Sequence, residues 1–161
     1  MKNPTLLKEM LDYRGRDEMP DDFDTFWNKQ VAEVEVPQDY QLLEKDFQIA
    51  YATCYELTFK SGNSGQIYAK LVVPKLSEKV PVLFHFHGYM GQGWDWADML
   101  AYTAAGWGVV SMDVRGQSGY SLDGDREVRG NTVKGYIIRG GSGWTGSAFF
   151  QGCLSGCLHL G

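Results

Sequence analysis

The spacing of apolar positions predicts helices at the start of the chain and strands after residue 40. Residues 3–13 carry apolar side chains at helical spacing, so they are expected to form a first helix. A second helix is expected to begin near Asp21 and Asp22, because acidic side chains suit the positive end of the backbone dipole. The apolar face of that helix is aromatic and includes Phe23, Phe26 and Trp27.

Residues 41–49, 51–60 and 66–73 have the pattern of three antiparallel strands. In the second of them apolar and polar side chains alternate, which is typical of a strand with one exposed face. The Gly-rich segment 62–65 is a hairpin signal between the second and third strands. The chain is therefore expected to form an antiparallel meander that ends at Pro74.

Residues 82–86 form a continuous apolar run, which predicts a strand that is buried on both faces. A helix over 94–105, ended by Gly106, and a strand over 107–113 are expected to follow. A strand, a helix and a strand in this order predict a right-handed βαβ unit with a parallel strand pair. Because parallel strands end at the same edge of a sheet, segment 87–89 and loop 115–119 are expected to lie on one edge.

The composition is that of an ordinary globular protein of about one domain, with 161 residues, 43% apolar and 22% charged. A net charge of −5 without a basic stripe argues against non-specific binding of nucleic acid. No apolar run approaches the roughly 18 residues of a membrane span, and the start of the chain lacks the apolar segment of a signal peptide. A cytoplasmic location is therefore expected. Three cysteines fit no even disulfide framework, and Cys54 is expected to be a small buried thiol on a strand.

The Gly-rich turn after residue 86 is the strongest candidate for chemistry. A strand that ends in such a turn exposes backbone N–H groups at the sheet edge, where they can hold a developing negative charge. His85 and His87 are two positions apart on the predicted strand, so they point to the same side. A zinc site needs a third ligand that the spacing does not supply. The expected role of the two histidines is therefore to orient the turn by hydrogen bonds.

Other chemical interpretations are weaker. Asp95 and Asp98 have helical spacing, which favours a solvated face or a helix cap over a carboxylate pair with Asp113 for glycoside hydrolysis. The glycines match neither the dinucleotide-binding order nor a P-loop. Trp94 and Trp96 can stack on a sugar, although core packing of one and a rim position for the other is the expectation. No metal site and no cofactor site are predicted.

Several segments together resemble the acetyl xylan esterase / cephalosporin C deacetylase family of carbohydrate esterases. His87-Gly88-Tyr89 and Arg115-Gly116-Gln117 at this spacing are the most specific, and the resemblance covers about residues 15–140. It implies the α/β class and an incomplete α/β-hydrolase fold, in which antiparallel strands lead into the parallel βαβ unit and residues 1–140 form the N-terminal part of the hydrolase domain. The other matching segments are residues 22–27, 65–67, 84–86, 104–107, 112–114 and 135–140.

The resemblance also implies a function. The family uses a Ser-His-Asp triad, without a cofactor, to remove acetyl groups from xylo-oligosaccharides, other small acetylated sugars and cephalosporin C, and it assembles into ring-like homo-oligomers. By matching position, the backbone N–H of Tyr89 belongs to the oxyanion hole. The residues implied to support the active-site face are His87, Gly88, Arg115, Gly116 and Gln117.

The triad itself has no counterpart in this sequence. The family's serine lies in a Gly-x-Ser-Gln-Gly turn between a strand and a helix, and no such motif is present. Ser142 and Ser155 have glycine neighbours, but neither follows a buried strand, and His159 is the only histidine after the sheet region. We therefore assign no catalytic residue and expect that truncation removed the triad.

Residues 141–161 are rich in glycine and follow no structural period. Reading the possible codons one nucleotide later allows Leu-Phe-Phe-Arg at 148–151, which is similar to a helix of the family. We interpret the segment as a non-native or disordered tail produced by a frameshift near Gly141, in which case Cys153, Cys157 and His159 carry no chemistry. An intact reading frame through Gly141, without a downstream Gly-x-Ser-Gln-Gly in another frame, would contradict this hypothesis.

The leading prediction is a carbohydrate acetylesterase by resemblance, in a form that lacks the triad. The alternatives are a non-catalytic α/β fragment that binds a sugar or a partner, a pseudogene product, or another hydrolase activity such as a peptidase or dienelactone hydrolase. A half-built parallel sheet is also expected to leave an exposed apolar edge after the strand 107–113, which favours aggregation.

Overall fold

The computed structural model of the chain describes residues 4–32, 39–61 and 65–123. The tail at 141–161, its frameshift and the segment 135–140 of the resemblance lie outside the described residues. Residues 62–64 of the predicted hairpin turn lie outside them as well.

The N-terminal unit, Met1–Glu33, contains two helices. Helix α1 spans Pro4–Asp12 and helix α2 spans Phe23–Ala32, at the positions that the spacing of apolar side chains predicts. In α2, Phe26 packs edge to face on Trp27 with ring centroids 5.2 Å apart. No helix in the described part of the chain is long and apolar enough to cross a membrane.

In the second unit, Val34–Gly161, the described residues form a five-stranded sheet. Its elements are β1 (Tyr40–Lys45), β2 (Ala52–Ser61), β3 (Gly65–Pro74), β4 (Val82–Phe86), α3 (Trp96–Ala104) and β5 (Gly108–Asp113). The strand order is β1-β2-β3-β5-β4, with β4 and β5 parallel and the other neighbours antiparallel. The α/β class, the meander and the parallel pair joined by a helix are therefore confirmed.

The core lies on both faces of β5, whose six residues are all buried. Because side chains alternate along a strand, Val110 and Met112 join one cluster, with Ile67 of β3, while Val109 joins the other, with Met99 of α3. Cys54 belongs to the α3 side and is 2% exposed, as expected for a small buried thiol. Burial raises the pKa of this thiol, against the opposing effect of the positive charge on Lys75.

The prediction that residues 82–86 are buried on both faces is wrong. β4 is the last strand of the described sheet, and Val82, Phe84 and Phe86 are 47%, 42% and 44% exposed. Leu83, on the other face, packs in the cluster that contains Met99 of α3. Among the described strands, the apolar run therefore belongs to an edge strand that is packed on one face.

The apolar sheet edge was also predicted at the wrong strand. β5 lies between β3 and β4 in the sheet, so the edge of the parallel pair is β4. After α3, the strand β5 can pair on either side of β4. No local pattern in residues 107–113 indicates which side it takes.

β1 is shorter than the predicted strand over 41–49 because the chain turns after Lys45. The side chain of Asp46 accepts a hydrogen bond from the Gln48 N–H at 3.1 Å. Gln48 also has a left-handed φ of 54°. An Asx-type turn of this kind takes the backbone out of the strand ladder.

Candidate functional site

A tight turn, Gly88 to Gly91, follows β4 at its C-terminal end. The Gly91 N–H donates to the Gly88 carbonyl at 2.9 Å and closes the turn. Met90 occupies the third position with a left-handed φ of 64°, as type II turns require. Glycine normally fills that position, so a methionine there must be held by its surroundings. Tyr89 lies at the second position and its side chain is 44% exposed.

Two side chains from the loop after β5 hold Met90. The Gln117 Oε1 accepts the Met90 N–H at 2.6 Å, and the Ser118 hydroxyl donates to the Met90 carbonyl at 3.1 Å. Gln117 is 7% exposed, so its amide is fixed by packing. The structure thus brings the turn after β4 and the loop after β5 together at one edge of the sheet.

His87 bridges the same two segments through both ring nitrogens. Its Nε2 accepts the Val114 N–H at 2.9 Å, so this nitrogen carries no proton. The proton of the neutral ring is then on Nδ1, which donates to the Gly88 carbonyl at 2.8 Å. A Cβ at Gly91 would lie 2.9 Å from that carbonyl oxygen and 3.1 Å from Nδ1. Only glycine fits at this close approach of the turn to the imidazole.

His85 lies beneath the turn in an aromatic stack. Its ring is 3.9 Å from that of Trp94 at 17°, and Trp94 stacks on Tyr102 at 5.3 Å. The His85 Nδ1 lies 2.9 Å from the Ser111 hydroxyl. Burial lowers the pKa of His85, with a smaller effect from His87, so the neutral ring is favoured.

The Ser111–His85 contact has the atoms of a nucleophile–base pair, but a substrate cannot reach the Ser111 hydroxyl. Ser111 is 1% exposed and its hydroxyl also accepts the Trp94 N–H at 2.8 Å. A buried hydroxyl in two hydrogen bonds cannot reach a substrate carbonyl. The pair therefore ties β5 to β4 and to the loop before α3. Within the ranges the structure describes, no three His, Cys, Asp or Glu side chains are grouped as a metal ion requires.

Asp113, at the end of β5, joins two loops, a role that sequence reasoning missed. One carboxylate oxygen accepts the Gly93 N–H at 2.6 Å, and the other accepts the Tyr120 N–H at 2.9 Å. The carboxylate is buried and lies between these backbone groups. A Cβ at Gly93 would lie 3.1 Å from Asp113 and 2.9 Å from Ser111. The signal available in the sequence was the pair of polar residues, two apart, at the end of an apolar strand.

Arg115 and Gly116 form the base of the loop after β5. The Arg115 guanidinium pairs with Asp123 at 2.7 Å, with side chains only 3% and 2% exposed. A Cβ at Gly65 would lie 2.7 Å from the guanidinium carbon, so glycine leaves the space that Arg115 fills. Gly116 has a left-handed φ of 62°. Arg115 therefore stabilises the loop from inside.

The remaining candidates lie at the start of α3. Asp95 occupies the N-cap position of α3, and a helix cap is one of the two roles expected for it. Lys70 donates to the Trp94 carbonyl at 2.8 Å, lies 3.8 Å from Asp95 and sits 5.7 Å above the Trp96 ring. Trp96 also packs on Phe47 at 5.3 Å. Both tryptophans are half-buried and pack on the α3 side of the sheet.

The family model and the solved structures that match this chain agree on one family. The family model Acetyl xylan esterase (AXE1) matches residues 1–154. The structure of acetyl xylan esterase 1 from Thermoanaerobacterium sp. JW/SL YS485 is 40% identical, covers 96% of this chain and has a TM-score of 0.84. The acetyl xylan esterase from Paenibacillus sp. R4 is 25% identical over 73% of this chain, with a TM-score of 0.62.

The matches cover only part of those relatives. This chain spans about half of the first structure, 49% of its length, and 39% of the second. A comparison with curated proteins gave no significant match. The matched segments include the strands, the turn and the loop described above, and the chain belongs to the acetyl xylan esterase family.

Proposed function

We propose that this chain carries the oxyanion turn of a carbohydrate acetylesterase. Its substrates would be acetylated xylo-oligosaccharides and similar small acetyl esters, including cephalosporin C, in a homo-oligomeric enzyme that needs no cofactor. The observation that carries the proposal is the Gly88 to Gly91 turn at the C-terminal end of β4, held by His87 and Gln117. Rigid backbone N–H groups at such an edge suit the negative charge that forms during ester hydrolysis.

In this reaction a serine attacks the acetyl carbonyl, and the carbonyl oxygen becomes negatively charged. We assign the Tyr89 N–H as one of the donors that hold this oxygen. The next amide in the turn, the Met90 N–H, donates to Gln117 and so holds the turn against the loop after β5. The loss of one such donor typically costs about 2.7–4 kcal/mol in transition-state stabilisation.

The nucleophile is the part that this sequence does not supply. It contains no Gly-x-Ser-Gln-Gly motif, and the Ser111–His85 pair is buried. We therefore propose that the polypeptide alone does not hydrolyse acetyl esters through a serine. In the presence of the purified 161-residue chain, p-nitrophenyl acetate should be hydrolysed only at its background rate. The Thermoanaerobacterium enzyme serves as the positive control. Turnover that a serine-directed inhibitor abolishes would contradict the proposal.

A second candidate is a sugar-binding fragment without catalysis. Tyr89 and Tyr120 lie in the turn and the loop at this edge, and their side chains are 44% and 71% exposed. Exposed tyrosine rings offer an apolar face with a polar hydroxyl, which suits contact with a sugar ring. Calorimetric titration of the chain with xylo-oligosaccharides tests this candidate: saturable heat of binding supports it, and the absence of such heat contradicts it.

A further inference from the structure

We propose that His87 is the positioning residue of the turn. In its neutral Nδ1–H form it fixes and polarises the peptide group between Gly88 and Tyr89, whose N–H is the assigned oxyanion donor. The inference rests on the proposed function only for the role given to that N–H. Its structural part concerns one imidazole, one peptide group and the backbone of β5.

The geometry of the peptide bond connects His87 to the Tyr89 N–H. A trans peptide is planar, with its C=O and N–H pointing in opposite directions, and the described chain contains no cis peptide. The Gly88 carbonyl accepts from the His87 Nδ1 at 2.8 Å and from the Gly91 N–H at 2.9 Å. These donors occupy both lone pairs of the oxygen. Whatever fixes the Gly88 carbonyl therefore also fixes the direction of the Tyr89 N–H.

The same two bonds strengthen the donor electronically. A hydrogen bond accepted by a carbonyl polarises its amide, so the N–H on the other side becomes a better donor. Gln117 accepts the following amide, the Met90 N–H, at 2.6 Å and so fixes the next peptide group of the turn as well.

The tautomer of His87 is set by a contact far along the chain. Val114, just after β5, donates its N–H to Nε2 at 2.9 Å and so requires this nitrogen to be unprotonated. Only the Nδ1–H form can accept from Val114 and donate to Gly88 at the same time. The parallel pairing of β4 with β5 brings the Val114 amide to the ring. Folding of the βαβ unit therefore selects the tautomer that orients the turn.

The first experiment reads the tautomer directly in the full chain. With 15N-labelled histidine, NMR should show His87 Nδ1 protonated and Nε2 unprotonated, with a coupling of the Val114 N–H to Nε2 across the hydrogen bond. A His87 ring protonated on Nε2 would overturn the inference. The measurement needs no enzymatic activity.

A matched pair of variants then tests the effect on the peptide group. In His87→Asn the side-chain amide nitrogen occupies the place of Nδ1 and can still donate a hydrogen bond to the Gly88 carbonyl. In His87→Gln the side-chain amide oxygen occupies the place of Nε2, so it can accept from the Val114 N–H but the Gly88 carbonyl loses its donor. The Gly88 carbonyl 13C and Tyr89 amide 15N resonances should stay near their wild-type positions in the Asn variant and move upfield in the Gln variant. Equal shifts in both variants, or shifts in neither, would contradict a positioning role. If the Gln variant does not fold, the wild-type tautomer and the Asn variant decide the question.

Different results would contradict the proposed function and the positioning role of His87. Serine-dependent turnover by the purified chain would contradict the proposed inactivity and leave the His87 geometry intact. The wrong tautomer would remove the positioning role and leave the family and its oxyanion turn unaffected.

Discussion

At the scale of single residues, the stability of the site depends on the protonation state of the partly buried His85. His85 is stacked on Trp94 and faces the Ser111 hydroxyl, with His87, just after β4, as the neighbouring titratable group. Burial there penalises the charged imidazole, which lowers its pKa in the folded chain. Protonation of His85 is therefore less favourable in the folded chain than in the unfolded chain.

This predicts a pH dependence of stability that a variant should remove. Since the unfolded chain holds a proton on His85 more tightly, the free energy of unfolding should fall as the pH drops below about 6.5, and it should be regained above that value. His85→Asn keeps a hydrogen-bonding group at the Nδ1 position but does not titrate. Urea unfolding of both proteins between about pH 7.5 and pH 5 measures the difference. Parallel pH curves for the wild type and the variant would show that His85 makes no such contribution.

At the scale of elements, β5 organises the loops around it. Its polar side chains, Ser111 and Asp113, hold the Gly93 and Trp94 amides of the segment between β4 and α3. Its apolar side chains, such as Val110 and Met112, pack on the opposite face. One strand therefore joins the core to the loops of the candidate site.

Loss of the Ser111 hydroxyl should weaken this junction. Ser111→Ala leaves the Trp94 N–H and His85 without their partner, and an unsatisfied buried donor costs about 1–3 kcal/mol. Ser118→Ala is the matched control, because the Ser118 hydroxyl donates to Met90 in an exposed setting where water can replace it. The control should change the free energy of unfolding by less than about 0.5 kcal/mol. Equal destabilisation in the two variants, measured by urea unfolding, would contradict the role of Ser111.

At the scale of the whole molecule, the described sheet ends in an apolar edge strand. Phe84 and Phe86 of β4 pair in register with Val110 and Met112 of β5, so they extend the apolar face of the core to the edge. Both rings are more than two-fifths exposed, at 42% and 44%. An exposed, apolar edge strand is a template for pairing with another chain.

We expect the chain to self-associate through β4. Phe84→Lys places a charge on the exposed face of the edge strand, which should reduce association in sedimentation velocity at matched protein concentration. Leu76→Lys is the control, since Leu76 is 60% exposed but lies outside every described strand. If both substitutions reduce association alike, general hydrophobicity is the cause, and the edge of β4 is not the site of pairing.

The sequence by itself determined the local elements and the residues of the turn. The spacing of apolar side chains located α1, α2 and α3, and the alternation and turn residues located β2 and β3, because these signals arise from contacts between near neighbours. The motifs 87–89 and 115–117 were recognised by their resemblance to the family. Their joining at one sheet edge followed from the parallel arrangement of the strands that precede them.

Only the tertiary structure decided how those elements are ordered and which side chains hold the site. It inserted β5 between β3 and β4, which left residues 82–86 at an edge, and it placed Asp113 and Ser111 beneath the loops. Strand order and buried hydrogen bonds depend on residues that are distant along the chain, so they cannot be predicted from a local sequence pattern. For the same reason, the amide of Val114, 27 residues away along the chain, requires the tautomer of His87 that also donates to the neighbouring Gly88 carbonyl.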